Sequence, residues 1–269
     1  MYQILRANGF PKEKIITFMY DDIANHTQNP RPNVIISEPN GPNVYHDIDI
    51  DYRGTEVNKE NLFKVLLGDT STGSKVVKGG RTQNVFLYYT GLADEDGEFT
   101  MSHPTEGYIK NTEFIEVLKQ MSQKNPFYRM FIAFECSHSG MMFEEVLPTN
   151  MKVIAMTAGA TDEDTYGVFC DDPKYKTCLA GLFSYYFSHF LKENDLTKSS
   201  IFDLYNYVRR STKMHHPQLY GQIQAGQMKL RAFLKYNTTK LGIEAGDDDE
   251  KGLNIFGDIS HPDEIDYLE

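Results

Sequence analysis

The stretch MFIAFECSHSG, residues 130–140, decides how the rest of the chain is interpreted. Its first half is an unbroken apolar run with the length of a buried strand, and the run stops at Cys136, after which small and polar residues follow. In open α/β sheets, ligands bind at the edge formed by the carboxyl ends of the strands. The pattern therefore predicts a central strand that carries the Cys136 thiol to the functional edge of a sheet.

Three further apolar runs end at small or polar residues in the same way, over 14–20, 84–91 and 151–159. Helical patterns lie around them, at 2–8, 58–67, 112–121, 179–191 and 201–210. Strands that alternate with helices are typical of a mostly parallel sheet. The sequence therefore predicts one α/β domain over residues 1–240, and the acidic remainder, 241–269, is predicted to be a solvated tail.

Composition and charge disfavour several classes of partner. The 269 residues include 27 Lys+Arg against 38 Asp+Glu, for a formal net charge of −11. This charge argues against nucleic acid and against anionic membrane surfaces as partners. No apolar run approaches the ~20 residues that span a bilayer. The first residues of the chain also lack the apolar core of a signal peptide.

Besides Cys136, the chain has two more cysteines, Cys170 and Cys178, which flank a short loop. They could form a local disulfide in an oxidising compartment, or they could be two buried free thiols. Sequons begin at Asn25 and Asn237, and they would be glycosylated only on a secreted chain. No spacing of His, Cys and Asp resembles a zinc site, and we expect neither a metal nor another cofactor.

Several short motifs of the sequence resemble those of the legumain, or asparaginyl endopeptidase, family of cysteine peptidases. They occur in the family's order: MYDDIA at 19–24, NPRP at 29–32, PNGPNVY at 39–45, DYRG at 51–54, LGD at 67–69, TCLAGLFS at 177–184 and QLYG at 218–221. The resemblance implies a caspase-like α/β/α sandwich, a peptide or protein substrate, and a vacuolar or lysosomal location reached by the secretory pathway. It also implies that this chain begins within the helix after the family's first strand, so we expect that central strand to be lacking.

The resemblance places the nucleophile at Cys136. In this family the preceding strand of the sequence ends in His-Gly, and the imidazole lowers the pKa of the thiol. The two corresponding positions here hold Leu92 and Ala93. Because leucine cannot accept a proton, we expect the thiol to keep a pKa of about 8.5 or higher and to stay protonated at neutral pH.

The pocket that accepts asparagine in the family also differs here. The resemblance places an acidic residue two positions before the nucleophile, where this chain has Phe134. It places an Asp at the end of a Cys-Leu-Gly-Asp motif, where this chain has Gly181. A pocket Ser corresponds to Thr165, the one polar lining residue carried over. Glu135 could be a displaced pocket acid, but alternation along the strand directs it to the face opposite Phe134, which favours a polar strand end.

Two functional hypotheses follow. The favoured one is a family member that keeps the fold and binds peptide or protein ligands without the chemistry. The alternative is an active legumain-like peptidase or transamidase that uses Cys136 with a substitute base, either His138 or His103. The remaining candidates, His215 and His216, are predicted to lie in a solvated loop.

Overall fold

The strand that leads to Cys136 lies inside a seven-stranded sheet in the computed structural model. The structure describes residues 1–101, 108–236 and 253–258. Its strands are β1 (Ile15–Met19), β2 (Tyr52–Arg53), β3 (Gly80–Thr90), β4 (Phe99–Thr100), β5 (Tyr108–Ile109), β6 (Phe127–Glu135), β7 (Val153–Thr157), β8 (Gly167–Val168), β9 (Ala180–Gly181), β10 (Gln218–Gly221) and β11 (Leu253–Asp258). Its helices are α1 (Tyr2–Ala7), α2 (Lys59–Leu67), α3 (Asn111–Lys124), α4 (Leu182–Glu193), α5 (Ile201–Ser211) and α6 (Arg231–Leu234).

The strand order in the main sheet is β10-β7-β6-β3-β11-β1-β2. The pairing of β10 with β7 is antiparallel, and the other pairings of this sheet are parallel. Two short antiparallel pairs, β4 with β5 and β8 with β9, lie outside it. The predicted α/β architecture with a mostly parallel sheet is therefore confirmed, and it is compatible with a caspase-like sandwich.

Successive side chains of the central strands pack into two separate cores, one on each face of the sheet. On the first face, Leu87 of β3 and Ile132 of β6 pack with α2 and α3. On the second face, Phe86 and Phe131 pack with α1, α4, α5 and α6. Because helices cover both faces, β3 over residues 85–89 and β6 over residues 130–134 are apolar at successive rather than alternate positions.

One central strand comes from the far end of the chain. β11 runs parallel to both of its neighbours, with Ile255 opposite Ile16 of β1 and opposite Leu87 of β3. The sequence predicts a solvated tail over 241–269 and a sheet that lacks a central strand, whereas these six residues complete the sheet between β1 and β3. Their short apolar run is masked in the sequence by acidic flanks. The other residues of the predicted tail lie outside the described residues.

The predicted helices lie close to the observed ones. α2 begins after Asn58, whose side chain accepts a hydrogen bond from the amide of Asn61, and it ends at Gly68. α5 begins with a capping box formed by Ser200 and Asp203. α4 begins three residues later than predicted because the preceding Ala180 and Gly181 pair with β8.

Candidate functional site

Cys136 and Leu92 follow adjacent strands at the same edge of the sheet. Thr90 of β3 lies opposite Glu135 of β6, and the amide of Gly91 donates to the carbonyl of Glu135 at 3.0 Å. Cys136 is the next residue after β6, and Leu92 lies two residues beyond β3. The structure thus brings together the two positions at which the resemblance places a nucleophile and its base.

The Cys136 thiol is buried rather than displayed at this edge. The residue is 1% exposed and belongs to the core on the Phe134 face of the sheet. Burial raises the pKa of the thiol well above its ordinary value, and the neighbouring Glu135 carboxyl adds to this effect. The thiol is therefore protonated at neutral pH, and a protonated thiol is a poor nucleophile.

Leu92 lies in the turn that connects β3 to β4. Its carbonyl accepts hydrogen bonds from the hydroxyl of Tyr89 at 3.0 Å and from the amide of Thr100 at 3.2 Å. These contacts fix the backbone of the turn, but the side chain offers neither a proton donor nor an acceptor. The candidate substitute base His103 lies outside the described residues.

Phe134, at the expected position of a pocket acid, is a core residue. Its ring is fully buried and stacks on Tyr89 with ring centroids 4.4 Å apart. Phe99 and Phe143 contact it edge to face, at 5.0 and 5.4 Å between centroids. The side chain therefore holds an aromatic cluster together beneath the edge that carries Cys136.

Glu135 faces the opposite side of the sheet from Phe134, as strand alternation predicts, and its carboxylate is bound there. Oε1 accepts a hydrogen bond from the amide of Ser184 at 3.2 Å. Oε2 accepts from the hydroxyl of Ser184, and from the hydroxyl of Thr90 at 3.2 Å. The hydroxyl of Tyr88 is also hydrogen-bonded to that of Ser184. This carboxylate joins β6, β3 and the first turn of α4.

Gly181 lies directly against this carboxylate. A β-carbon at residue 181 would lie 2.7 Å from Cδ of Glu135, which is too close for a real contact. The interpretation of Glu135 as merely a polar strand end is therefore incomplete. Sequence reasoning missed the contact because alternation gives the face of a side chain, but not what packs against that face.

His138 does not turn back over the Cys136 thiol. Its backbone is left-handed, with φ 56°, and its amide donates to the carbonyl of Glu163 at 2.8 Å. Nδ1 lies 3.0 Å from the carbonyl oxygen of Thr161, and Nε2 lies 3.6 Å from Oδ1 of Asp164. Both ring nitrogens thus face the loop after β7, so this geometry gives no support to a base at His138.

The same loop brings Thr165 to the site. The amide of Thr165 donates to the hydroxyl of Ser137, the residue after Cys136, at 3.1 Å. Thr165 is half-buried, and the next residue, Tyr166, is exposed. Its candidate role in lining a pocket stays a prediction.

The prediction of a solvated loop is wrong for His215. This side chain is fully buried, its Nδ1 is 2.6 Å from the carbonyl oxygen of Ala158, and its ring stacks on Tyr166. Burial lowers its pKa, so the ring is held neutral. His216, by contrast, is exposed and pairs with Glu163. The residues before β10 contain no periodic signal that would have distinguished the two histidines.

Of the two alternatives for the remaining cysteines, the structure has the disulfide between Cys170 and Cys178. It closes the loop between β8 and β9, the strand pair that leads into Gly181. Gly167 of β8 leaves room for it, since a β-carbon there would lie 2.7 Å from Sγ of Cys178. The disulfide thus braces the segment between Thr165 and α4.

Replacing both Cys170 and Cys178 by serine is expected to lower the free energy of unfolding by about 2–3 kcal/mol, because the short loop is no longer closed in the unfolded chain. Urea denaturation without reductant measures the difference. A reductant should lower the stability of the unsubstituted protein to that of the double variant and leave the variant unchanged. If the reductant destabilised both proteins equally, the disulfide would not be the cause.

Neither a metal-binding cluster nor a membrane-spanning helix occurs in the described part of the chain. No group of three or more His, Cys, Asp or Glu side chains there is arranged to hold a metal ion. Within residues 1–101, 108–236 and 253–258, no helix has the length and apolar character needed to cross a membrane.

Comparison with known proteins gives one family. Residues 1–237 match the model of the Peptidase C13 family. The chain is 37% identical over 233 residues to a protein named hemoglobinase from Schistosoma mansoni, which covers 86% of this chain and 53% of that relative. It is 36% identical over 239 residues to the vacuolar-processing enzyme delta-isozyme of Arabidopsis thaliana, covering 85% and 51%. It is 32% identical over 243 residues to legumain of Canavalia ensiformis, covering 86% and 50%.

The chain belongs to the peptidase C13, or legumain, family, which confirms the resemblance found in the sequence. It spans about half the length of the curated relatives that it matches.

Proposed function

We propose that this protein is a legumain-family homologue that binds peptide or protein ligands at the edge carrying Cys136 and does not cleave them. One observation carries this proposal: the Cys136 thiol is buried, and the neighbouring strand β3 is followed by Leu92 where the family has its base. Cysteine peptidase chemistry needs a thiolate and a nearby proton carrier. Here burial raises the pKa of Cys136, and the side chain at the neighbouring strand end cannot exchange a proton.

Membership of the legumain family, whose resemblance implies cleavage after asparagine, is the reason to consider that reaction. Phe134 and Gly181 argue against the same pocket in this chain, because neither side chain carries a charge. An active peptidase or transamidase with a substitute base is the alternative. It would need an imidazole close to Cys136, and His138 is engaged by the loop after β7.

We further propose that the protein follows the secretory route to a vacuole or lysosome. Two observations support an oxidising compartment. Cys170 and Cys178 form a disulfide, a bond that rarely persists in the cytosol. The sequon residue Asn25 is exposed, so a glycan could be attached there.

The test is cleavage of a fluorogenic peptide with asparagine before the scissile bond, at acid pH. We expect the purified protein to be slower than an active family member by roughly 10⁶-fold, because loss of the base alone has an effect of this size in a serine peptidase. Cys136→Ala should give the same residual rate. Turnover that disappears in Cys136→Ala would overturn the proposal and favour the active alternative.

A second variant separates the base from the pocket. Leu92→His combined with Ala93→Gly restores the pair that the resemblance places there. We expect no cleavage after asparagine, because Phe134 still fills the position of the acid and the thiol is still buried. Recovery of asparagine-specific cleavage would show that the missing imidazole is the whole defect.

A further inference from the structure

The helix α4 begins without a cap of its own. The residue before it is Gly181, which has no side chain, and its first turn contains no acidic residue. The first amides of a helix have no partner within the helix, and Ser, Thr, Asp or Asn at the preceding position normally binds them. For this 12-residue helix, the missing side chain must be replaced from elsewhere.

The replacement comes from β6. Glu135 accepts hydrogen bonds from the amide and the hydroxyl of Ser184, and the amide of Phe183 also stabilises its ionised form. A carboxylate at the amino end of a helix is favoured by both the free amides and the helix dipole. Glu135 therefore caps α4 from the strand that carries Cys136.

The glycine at 181 is required by volume rather than by backbone conformation. Its φ of −69° and ψ of 145° are open to any residue. The space above its α-carbon, however, is filled by the carboxyl group of Glu135, with Cδ 2.7 Å from where a β-carbon would be. A side chain at 181 and the carboxylate of Glu135 thus exclude each other.

We propose that Glu135 has taken over the place of the acidic side chain that the family resemblance assigns to residue 181, and that it is a positioning residue that fixes β6 to the start of α4. The acidic group is thus moved to another strand rather than lost. The proposal rests on the family assignment of residue 181, but not on whether the chain cleaves peptides.

The contribution of Glu135 to stability depends on pH. Its carboxyl is faced by the hydroxyls of Thr90 and Ser184 and by the amides at the start of α4, while Cys136, its neighbour in sequence, belongs to the core on the other face of the sheet. Within the described residues, no lysine, arginine or histidine forms an ion pair with it. Burial therefore raises its pKa above the ordinary value.

The sign of the effect on stability follows from this shift. A carboxyl with a raised pKa in the folded state favours folding at low pH. That contribution is lost as the pH rises through the unfolded value of about 4.3 towards the raised folded value. We therefore expect Glu135 to favour the folded state more at acid pH than at neutral pH.

The first test is Glu135→Gln, which keeps the shape and removes the charge. The melting temperature is measured from pH 4 to pH 7 for the unsubstituted and the Glu135→Gln proteins. We expect the fall in melting temperature over this range to be smaller in Glu135→Gln, because no buried carboxyl is left to ionise. Glu116→Gln, at an exposed glutamate on α3, is the matched control and should leave the fall unchanged. An equally large fall in the unsubstituted and Glu135→Gln proteins would overturn the proposal.

The second test places an acidic side chain at residue 181 and removes the one at residue 135. Gly181→Asp alone forces two acids into one volume and should lower the melting temperature strongly or prevent folding. Glu135→Ala alone leaves α4 uncapped. Together the two substitutions should give a protein with a higher melting temperature than either single variant. A double variant that is less stable than both single variants would overturn the proposed exchange. None of these measurements uses cleavage, so their outcome is independent of the proposed function.

Discussion

Replacing Phe134 by glutamate is expected to abolish cooperative folding at neutral pH. The ring is fully buried among Tyr89, Phe99 and Phe143. None of these side chains is a cation, and the hydroxyl of Tyr89 already donates to backbone carbonyls. An ionised carboxyl in such surroundings is unfavourable by an amount that rivals the whole stability of a domain, about 5–15 kcal/mol. The acid that the family resemblance places at this position cannot simply be restored here, because the neighbouring side chains have become a core.

Circular dichroism during thermal and urea unfolding at pH 7 measures the effect. Phe134→Leu is the matched control, since it stays apolar and should lose less than the roughly 3–5 kcal/mol typical of removing a whole buried ring. Partial recovery of Phe134→Glu at pH 4 is expected, because a protonated carboxyl is easier to bury. If the glutamate variant were as stable as the leucine variant at pH 7, residue 134 would face a polar pocket and not a core.

The second large effect is expected from Ile255→Pro in β11. This strand pairs with β1 on one side and with β3 on the other, so proline removes an amide from the middle of the sheet. Without a competent β11, the facing edges of β1 and β3 have no partner strand between them. We expect loss of the cooperative unfolding transition and aggregation of the protein.

Two truncated chains provide the control for this effect. A chain that ends at Tyr236 lacks β11 and should behave like Ile255→Pro. A chain that ends at Asp258 keeps all seven strands of the sheet and should unfold like the full chain. If the chain ending at Tyr236 unfolded cooperatively with unchanged stability, β11 would not be needed by the sheet.

Local patterns in the sequence were sufficient for most of the scaffold. The apolar runs before Thr90 and Cys136 predict two strands, and the rule that parallel strands share a functional edge predicts that Leu92 and Cys136 come close together. The polar start of α2 and the glycines that follow α1 and α2 predict the boundaries of these helices to within one or two residues. These features depend on neighbours in the chain, which is why a single sequence contains them.

The rest depends on contacts between distant residues. The burial of the Cys136 thiol follows from the helices that cover its face, and strand alternation alone does not report it. Glu135 and Gly181 belong to different elements, so their shared volume exists only after α4 has docked. β11 was missed for the same reason, because a six-residue strand in an acidic segment is defined by the two strands beside it.

The position of β11 also determines when the protein can become native during its synthesis. Ile255 lies beside Ile16 in the sheet. The pairing of β1 with β11 can therefore form only after residues near 255 have been synthesised. Pairings between such distant residues are slow to form, and strand edges left open in the meantime are prone to aggregation. The nascent chain should therefore depend on chaperones until β11 has emerged.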